Sequence, residues 1–340
     1  MKKNTLTFLL KFVTLKDSKQ RRKHAPIRIL SVLLLCLFVL GSCPNGPMSK
    51  KSSQEVDPQT GTPNDQIPPN DQIPLEKIIQ QVGGSENSQI VLITVPGGPL
   101  ADLPNRKEFL NIYQNTKLDL QKVSLVTAHQ IQTLHSDFFK SKEITFEDAK
   151  KYDILTTNML MRTIRYFKNQ SKNVYVIGIS FGAFIVEDLL ATYGGTIADG
   201  FIIMVGRLNM PKKVWETFSR GIHIRFKEDG INIDEMPSPS MDANTRITSS
   251  NMNKLAAGLG YHRYVDLLKD VDLSNVIYAY GEKDRQVGIL TTEEINALTK
   301  QKNGVSRLLK GNNLGHSETI SRYMEEALKG ILNNPTLFHP

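Results

Sequence analysis

The sequence contains only two cysteines, Cys36 and Cys43, and both lie near its start. Everything after Cys43 is free of cysteine, which excludes disulfide bonds and cysteine-ligated metal sites from that part of the chain. Its histidines and acidic residues also lack metal-ligand spacings such as H-x-x-x-H. We therefore predict no metal, no cofactor, and a fold that depends on its apolar core.

A surplus of positive charge is also missing once the first residues are set aside. The chain carries 42 basic and 34 acidic residues, a net charge of +8, but residues 1–28 hold nine of the basic residues and only one acid, Asp17. The remainder has 33 residues of each sign and is formally neutral. Because nucleic acid is bound through a basic surface, the composition excludes that class of partner.

The basic start is followed by an apolar run at 29–40 and by Leu40-Gly41-Ser42-Cys43. This order is typical of a secretory signal peptide, here residues 1–42, because the run is short for a membrane-spanning helix. The last four residues resemble the lipobox of bacterial lipoproteins. The resemblance implies that Cys43 becomes the new N-terminus and carries a lipid such as palmitate, which anchors the chain to a membrane of the cell envelope. An ordinary signal peptide and an uncleaved signal anchor are the alternatives.

Residues 43–74 are polar and contain the hexapeptide PNDQIP twice, at 63–68 and 69–74. A segment rich in Pro, Ser, Gln and Asn buries too little apolar surface to fold, which favours a semi-extended tether. Residues 75–340 then form the folded part, and their length suits one α/β domain with an insertion.

Apolar runs alternate with helical patterns through this domain and predict a mainly parallel, doubly wound sheet with helices on both faces. Strands are predicted at 90–95, 123–127, 174–177, 201–205, 276–280 and 305–309, and helices at 105–116, 146–168, 181–194, 292–302 and 318–332. Residues 206–261 interrupt the alternation with a predicted hairpin (222–233), a polar stretch (236–251) and a short helix. We interpret this segment as a lid inserted between two late strands.

The strongest functional pattern is Gly178-Ile179-Ser180-Phe181-Gly182, which joins the strand 174–177 to the following helix. A serine in so tight a strand-to-helix turn has a strained backbone, and glycines two positions away on each side let strand and helix approach each other. The helix N-terminus directs free N–H groups at the place where negative charge develops. The pattern predicts that Ser180 is a nucleophile.

A serine hydroxyl needs a base to take its proton, and the base needs an acid to orient it. Asp284 follows the strand 276–280 in the segment GEKDRQV, and His316 follows the strand 305–309 in a Gly-His pair. Both lie just beyond the carboxyl end of a strand, where open α/β sheets place their sites. We predict Asp284 as the acid and His316 as the base.

The chain order Ser180, Asp284, His316, together with the motifs around them, resembles that of α/β-hydrolase-fold serine hydrolases over roughly residues 85–335. The resemblance implies the α/β-hydrolase fold and a catalytic triad. It also implies an oxyanion hole made by the N–H of Phe181 and by a glycine that follows the strand 90–95.

That glycine is Gly97 or Gly98 in the segment PGGPL. The segment is similar to the His-Gly-Gly-Pro-Gly loop of the proline-iminopeptidase branch, except that Pro96 replaces its His and Leu100 its last Gly. The resemblance therefore carries the oxyanion hole rather than an aminopeptidase activity.

These features predict a hydrolase that cleaves an ester, thioester or amide of a small-molecule or lipid-like substrate through an acyl-enzyme, with the lid selecting the substrate. The alternatives are an acyltransferase of the same fold and a catalytically inert envelope protein that binds a ligand or partner. We expect three further histidines, His129, His223 and His262, at the surface. Glu187 and Asp188 are expected to cap or pair locally on the helix after Ser180.

Overall fold

The computed structural model describes residues 67, 69, 72–236, 242–299 and 304–339. The predicted signal peptide, Cys43 and most of the predicted tether lie outside the described residues. Two residues of the hexapeptide repeats contact the domain: Ile73 is buried and Ile67 is half-buried against the core. Within the described part of the chain, no helix is both long and apolar enough to cross a membrane.

Seven strands form the main sheet, and six of its seven members run parallel. Its strands are β1 (Ile79–Gly84), β2 (Ile90–Val95), β3 (Ser124–Ala128), β4 (Asn173–Ile179), β5 (Gly200–Met204), β8 (Val276–Gly281) and β9 (Arg307–Gly311). Their order is β1-β3-β2-β4-β5-β8-β9, with β1 antiparallel at one edge. A separate hairpin pairs β6 (His223–Phe226) with β7 (Ile233–Met236).

Eleven α-helices accompany these strands in the described residues. They are α1 (Leu75–Ile78), α2 (Arg106–Tyr113), α3 (Ile131–Leu134), α4 (Ser136–Ser141), α5 (Phe146–Lys168), α6 (Phe181–Tyr193), α7 (Lys212–Ser219), α8 (Ala243–Gly260), α9 (Tyr264–Leu267), α10 (Thr292–Thr299) and α11 (His316–Leu332). Short 3-10 helices lie at Leu120–Lys122, Gly195–Ile197 and Pro335–Leu337. This arrangement is the α/β-hydrolase fold, and the predicted fold class is confirmed.

The core has two apolar layers, one on each face of the sheet. Side chains alternate between the layers along each strand: in β5, Phe201 and Ile203 belong to one cluster, whereas Ile202 and Met204 belong to the other. Helices α5, α6 and α8 contribute to the first layer, and α2 and α11 to the second. Because both faces are covered, the central strands are apolar on both sides and are recognisable in the sequence as continuous apolar runs.

Several elements in the first half of the domain were not predicted from the sequence. Strand β1 was not expected, because its sequence, IQQVGG, has few apolar side chains; Val82 is the one apolar side chain of the strand that is buried. It pairs along a single side, with β3, as an edge strand does. The helices α3 and α4 were also not expected; they are only four and six residues long.

The lid is inserted between β5 and β8, as predicted, and consists of α7, the β6–β7 hairpin, α8 and α9. The expectation of a polar stretch followed by a short helix is wrong, because α8 spans 18 residues. Asp242 begins this helix by accepting the N–H of Thr245 at 3.0 Å. On its buried face, Asn251 accepts from the N–H of Ile144 (3.0 Å) and donates to the carbonyls of Phe139 and Lys142. A polar helix sequence is thus buried because its side chains satisfy backbone groups of its neighbours.

Three carboxyl groups on α5 and α6 are buried or half-buried. The expectation that Glu187 and Asp188 pair locally is wrong: Glu187 is fully buried and accepts from the Tyr278 hydroxyl of β8 at 3.1 Å, and Asp188 accepts from Thr157 of α5 at 2.7 Å. Asp153 is also buried, and its Oδ2 has no hydrogen-bond partner among the described residues. Burial raises the pKa of all three carboxyls.

We predict that Asp153→Asn stabilises the domain at alkaline pH. Burial, with a smaller contribution from the Asp188 charge, raises the pKa of Asp153 well above that of an unfolded chain. Its protonated form therefore favours folding fully below about pH 4, and this contribution is lost as the pH rises through the folded pKa. The variant does not titrate, so its melting temperature should exceed the wild-type value by about 3 °C or more at pH 8 and converge with it at pH 4. Equal differences at both pH values would contradict this account; Asp137→Asn, at an exposed position of α4, is the surface control.

Candidate active site

Ser180 lies between the last residue of β4 and the first residue of α6. Its backbone angles are φ 56° and ψ −115°, a region that non-glycine residues rarely occupy. The turn is held because the Ser180 N–H donates to the carbonyl of Met204 in the neighbouring strand at 2.9 Å. Such strain is typically worth about 1–3 kcal/mol and persists only where the surroundings impose it. The predicted nucleophile therefore has the backbone conformation of a nucleophile elbow.

The two glycines of the elbow have no room for a side chain. A Cβ on Gly178 would lie 2.6 Å from the carbonyl oxygen of Gly182, and one on Gly182 would lie 2.1 Å from the carbonyl oxygen of Val95. Both contacts are with backbone atoms, which cannot rotate away. The glycines thus allow α6 to begin directly against the ends of β4 and β2, as the sequence predicted.

We predict that Gly182→Ala destabilises the domain by about 4 kcal/mol or more, because strand β2 or helix α6 must shift to relieve the contact with Val95. Urea-induced unfolding would measure the change. The matched control is Gly194→Ala at the other end of α6: Gly194 has φ +78° but nothing lies within 4 Å of its absent Cβ. That control should lose only about 1–3 kcal/mol, because φ 78° with ψ 172° is a backbone conformation that essentially only glycine adopts. Similar losses in both variants would contradict the role given to Gly182.

His316 and Asp284 form a buried hydrogen-bonded pair. His316 Nδ1 lies 2.6 Å from Asp284 Oδ2, and the two residues are 7% and 1% exposed. The other oxygen of the carboxylate, Oδ1, accepts the backbone N–H groups of Gln286 (2.8 Å) and Val287 (3.1 Å). With these two donors fixed on one oxygen, the second oxygen faces the imidazole. The Asp284 carboxylate is therefore oriented by backbone groups of its own loop, and this orientation directs Oδ2 at His316.

The loop that carries Asp284 (residues 282–291, the acid loop) packs directly against the loop that precedes His316 (residues 312–315, the base loop) at the ends of β8 and β9. The Lys283 N–H donates to the carbonyl of Leu314 at 2.9 Å. A Cβ on Gly281 would lie 2.5 Å from that same carbonyl oxygen, so a glycine is needed where β8 ends. His316 is the first residue of α11, two residues earlier than the predicted start of that helix. The described geometry joins Asp284 and His316 as the sequence predicted.

The predicted oxyanion loop lies beside Ser180. A Cβ built on Gly97 would be 3.1 Å from Ser180 Cβ and 3.7 Å from Ser180 Oγ, which places the Gly97 backbone next to the hydroxyl. Gly98 has φ +143°, where a side chain would be strained. The backbone N–H groups of Phe181, Gly97 and Gly98 donate to no residue that the structure describes. These N–H groups remain available to a substrate oxygen.

The loop is fixed by residues that the sequence did not indicate. Gln130, which is buried just after β3, donates from Nε2 to the carbonyl of Pro96 at 3.2 Å, and Gln132 in turn donates to the side chain of Gln130. Further along, Asp102 accepts from Ser136 (2.7 Å) and Lys140 (2.6 Å) on α4. The only local signal was a pair of glutamines after an apolar strand, and this signal is too weak to indicate a role.

The other candidate histidines do not join this group. His129 is half-buried rather than surface-exposed and pairs through Nδ1 with Thr133 at 3.0 Å, and His262 is half-buried with its ring 4.0 Å from that of Tyr261. The expectation of surface positions is therefore wrong for these two, and only His223 is exposed. The Ser180 hydroxyl makes no hydrogen bond with a described residue.

Comparison of the sequence with models of known protein families and with curated proteins finds no match. Solved structures match in fold. An α/β hydrolase enzyme from a Medee basin deep-sea metagenome library is 13% identical, with a TM-score of 0.48 over 75% of this chain and 93% of its own. A lipase-esterase related protein from Clostridium acetobutylicum is 16% identical (TM-score 0.47, 74% and 98%), and a bromoperoxidase from Bacillus anthracis is 13% identical (0.46, 75% and 95%). Identities and scores this low describe a likeness in fold and transfer no activity to this chain.

Proposed function

We propose that the chain is a serine hydrolase that cleaves an ester, thioester or amide through an acyl-enzyme, with Ser180 as nucleophile, His316 as base and Asp284 as acid. The observation that carries the proposal is the buried 2.6 Å hydrogen bond between His316 and Asp284, located at the edge of the sheet where the strained turn presents Ser180. An imidazole aligned by a carboxylate at a serine elbow is the arrangement that acyl transfer needs.

The proposed reaction begins when Ser180 Oγ attacks the substrate carbonyl carbon while His316 Nε2 takes the hydroxyl proton. The carbonyl oxygen becomes an oxyanion, which the N–H groups of Phe181 and of Gly97 or Gly98 stabilise. The bond to the leaving group then breaks, and the leaving group receives the proton from Nε2. A water molecule, which gives a proton to His316 Nε2, then attacks the carbonyl carbon of the acyl-enzyme. The bond to Ser180 Oγ breaks, Oγ receives the proton from Nε2, and the carboxylic acid product leaves.

The supporting electrostatics come from the chain itself. Asp284 stabilises the imidazolium that forms on His316, because the carboxylate is buried and its other oxygen is already held by two N–H groups. The N-terminus of the 13-residue helix α6 adds a favourable field at the oxyanion. We propose further that Cys43 carries a lipid anchor, which would present the domain to acyl substrates at a membrane of the cell envelope.

Labelling with a fluorophosphonate probe and hydrolysis of p-nitrophenyl esters of increasing acyl length test the proposal. We expect the folded chain to be labelled at Ser180 and to release p-nitrophenol. A folded chain that neither reacts with the probe nor hydrolyses any ester would reject the hydrolase and favour an inert binding protein. Acyl transfer to an added alcohol in excess of hydrolysis would identify an acyltransferase instead.

A further inference from the structure

Arg207 is a buried cation at the root of the lid, three residues after β5 ends. It is 3% exposed, and its Nη2 lies 3.2 Å from Oε2 of the fully buried Glu294. A guanidinium at such a position must be matched by acceptors, because burying an unpaired charge is costly. Glu294 provides the acceptor for Nη2 of the guanidinium. The other side reaches the loop that carries the proposed catalytic acid.

Arg207 Nη1 donates to the carbonyl of Val287 at 3.1 Å. The N–H of the same residue, Val287, donates to Asp284 Oδ1, while Asp284 Oδ2 meets His316. A continuous series of hydrogen bonds therefore runs from Glu294 through Arg207 and Val287 to the acid and the base. Beside it, Gly288 has φ +82°, and a Cβ there would lie 2.7 Å from Arg207 Nη1, so the loop passes directly against the guanidinium.

The lid hairpin holds the same loop from its other side. The N–H of Phe226 in β6 donates to the carbonyl of Arg285 at 3.1 Å, and Arg285 Nε donates back to the carbonyl of Phe226 at 3.2 Å. The N–H of Ile289 donates to the carbonyl of Gly230 at 3.2 Å. The Arg207 guanidinium lies 5.8 Å from the centre of the Phe226 ring, which places hairpin, arginine and acid loop in one cluster.

We propose that Arg207 is a positioning residue for the proposed triad: by holding the carbonyl of Val287 it fixes the backbone of the residue whose own N–H donates to Asp284. The inference rests on the proposed function for its catalytic consequence. Its structural part, the dependence of the Asp284–His316 hydrogen bond on Arg207, is measurable without turnover. A merely structural ion pair with Glu294 would stabilise the lid and leave that hydrogen bond unchanged.

The chain offers a matched control in Lys254 of α8. This second lid cation is also buried, at 8% exposed, and also contacts one acid and one backbone carbonyl, Glu143 Oε1 at 2.7 Å and Ile144 O at 2.9 Å. Both partners, Glu143 and Ile144, lie just before α5, and neither belongs to the acid loop. Lys254→Met should therefore lower the melting temperature without affecting the triad.

The test compares full-length wild type with Arg207→Lys, Arg207→Met and Lys254→Met by p-nitrophenyl butyrate kinetics and by the far-downfield ¹H NMR signal of the proton shared by His316 and Asp284. That signal is assigned by its absence from His316→Ala. We expect both Arg207 variants to lower kcat about tenfold with KM unchanged, and to shift or broaden the downfield signal, whereas Lys254→Met changes neither. Arg207→Lys keeps a charge beside Glu294, so it provides a folded variant if Arg207→Met does not fold.

A folded Arg207 variant with wild-type kcat and an unmoved downfield signal would overturn the inference. So would an equal loss of kcat in Lys254→Met, because the effect would then follow from stability alone. A wild type that hydrolyses no ester but whose downfield signal is moved by Arg207→Lys would reject the proposed hydrolase and uphold the positioning of Asp284 by Arg207.

Discussion

Replacing Ser180 by Ala is expected to abolish probe labelling and to reduce ester hydrolysis roughly 10⁴–10⁶-fold, because no other group in the elbow can form the acyl-enzyme. The variant should still fold. Alanine adopts the left-handed backbone about as poorly as serine does, and the Ser180 side chain contributes no hydrogen bond with a described residue to the native state. Kinetics with p-nitrophenyl butyrate and a thermal melt of the same sample measure both quantities.

Ser171→Ala is the matched control for this substitution. Ser171 also has a positive φ, 57°, but it is exposed and lies at the opposite end of β4. The Ser171→Ala variant should be labelled by the probe and should hydrolyse esters as the wild type does. Hydrolysis that survives in Ser180→Ala at more than about one hundredth of the wild-type rate would reject Ser180 as the nucleophile.

Asp284→Asn is expected to lower kcat about 10³–10⁴-fold while leaving the fold intact. The N–H groups of Gln286 and Val287 both donate to Oδ1, so they should retain the amide oxygen of the substituted side chain and turn its NH₂ group toward His316. His316 Nδ1 must then accept a hydrogen bond, which places the ring proton on Nε2. An imidazole protonated on Nε2 cannot take the proton of Ser180.

The control for this variant lies near the opposite end of the same strand, β8. Asp272 also accepts a backbone N–H two residues ahead, that of Ser274 at 2.9 Å, but it is exposed and precedes β8 instead of following it. Asp272→Asn should retain full activity. Wild-type activity in Asp284→Asn would show that the carboxylate does not orient the base, and the proposed triad would fail.

The elements that the sequence predicted well are those whose signal is local. Ser180 is flanked within two residues by the glycines that its turn requires, and Asp284 and His316 each follow an apolar run within a few residues. Strand ends in a parallel sheet meet at one edge, so such local signals suffice to bring distant residues together. The turn at Ser180 and the contact between Asp284 and His316 were predictable for this reason, and their catalytic roles remain a proposal.

The elements that were not predicted depend on tertiary partners. Glu187 is polar in sequence yet fully buried, because Tyr278 of a distant strand supplies its hydrogen bond. Helix α8 is polar in sequence, and its Asn251 satisfies backbone groups of α4 and of the connection from α4 to α5, so its composition does not distinguish it from a loop. Arg207 and Gln130 act on loops far along the chain, and neither lies in a motif. Burial of a polar side chain follows from its partners, which the sequence does not name.

The unequal attachment of the two hairpin strands determines where this lid tolerates change. Strand β6 is hydrogen-bonded to the acid loop through the backbone of Phe226. The outer strand β7 pairs with β6, and its last three residues are exposed. Side chains introduced at 234–236 would face solvent, while substitutions at Phe226 would disturb the loop that carries Asp284. Directed evolution of substrate range should therefore randomise 234–236 and keep β6 constant. We expect substitutions on the outer strand to leave the hydrogen bonds around Asp284 in place, whereas substitutions in β6 would disturb them.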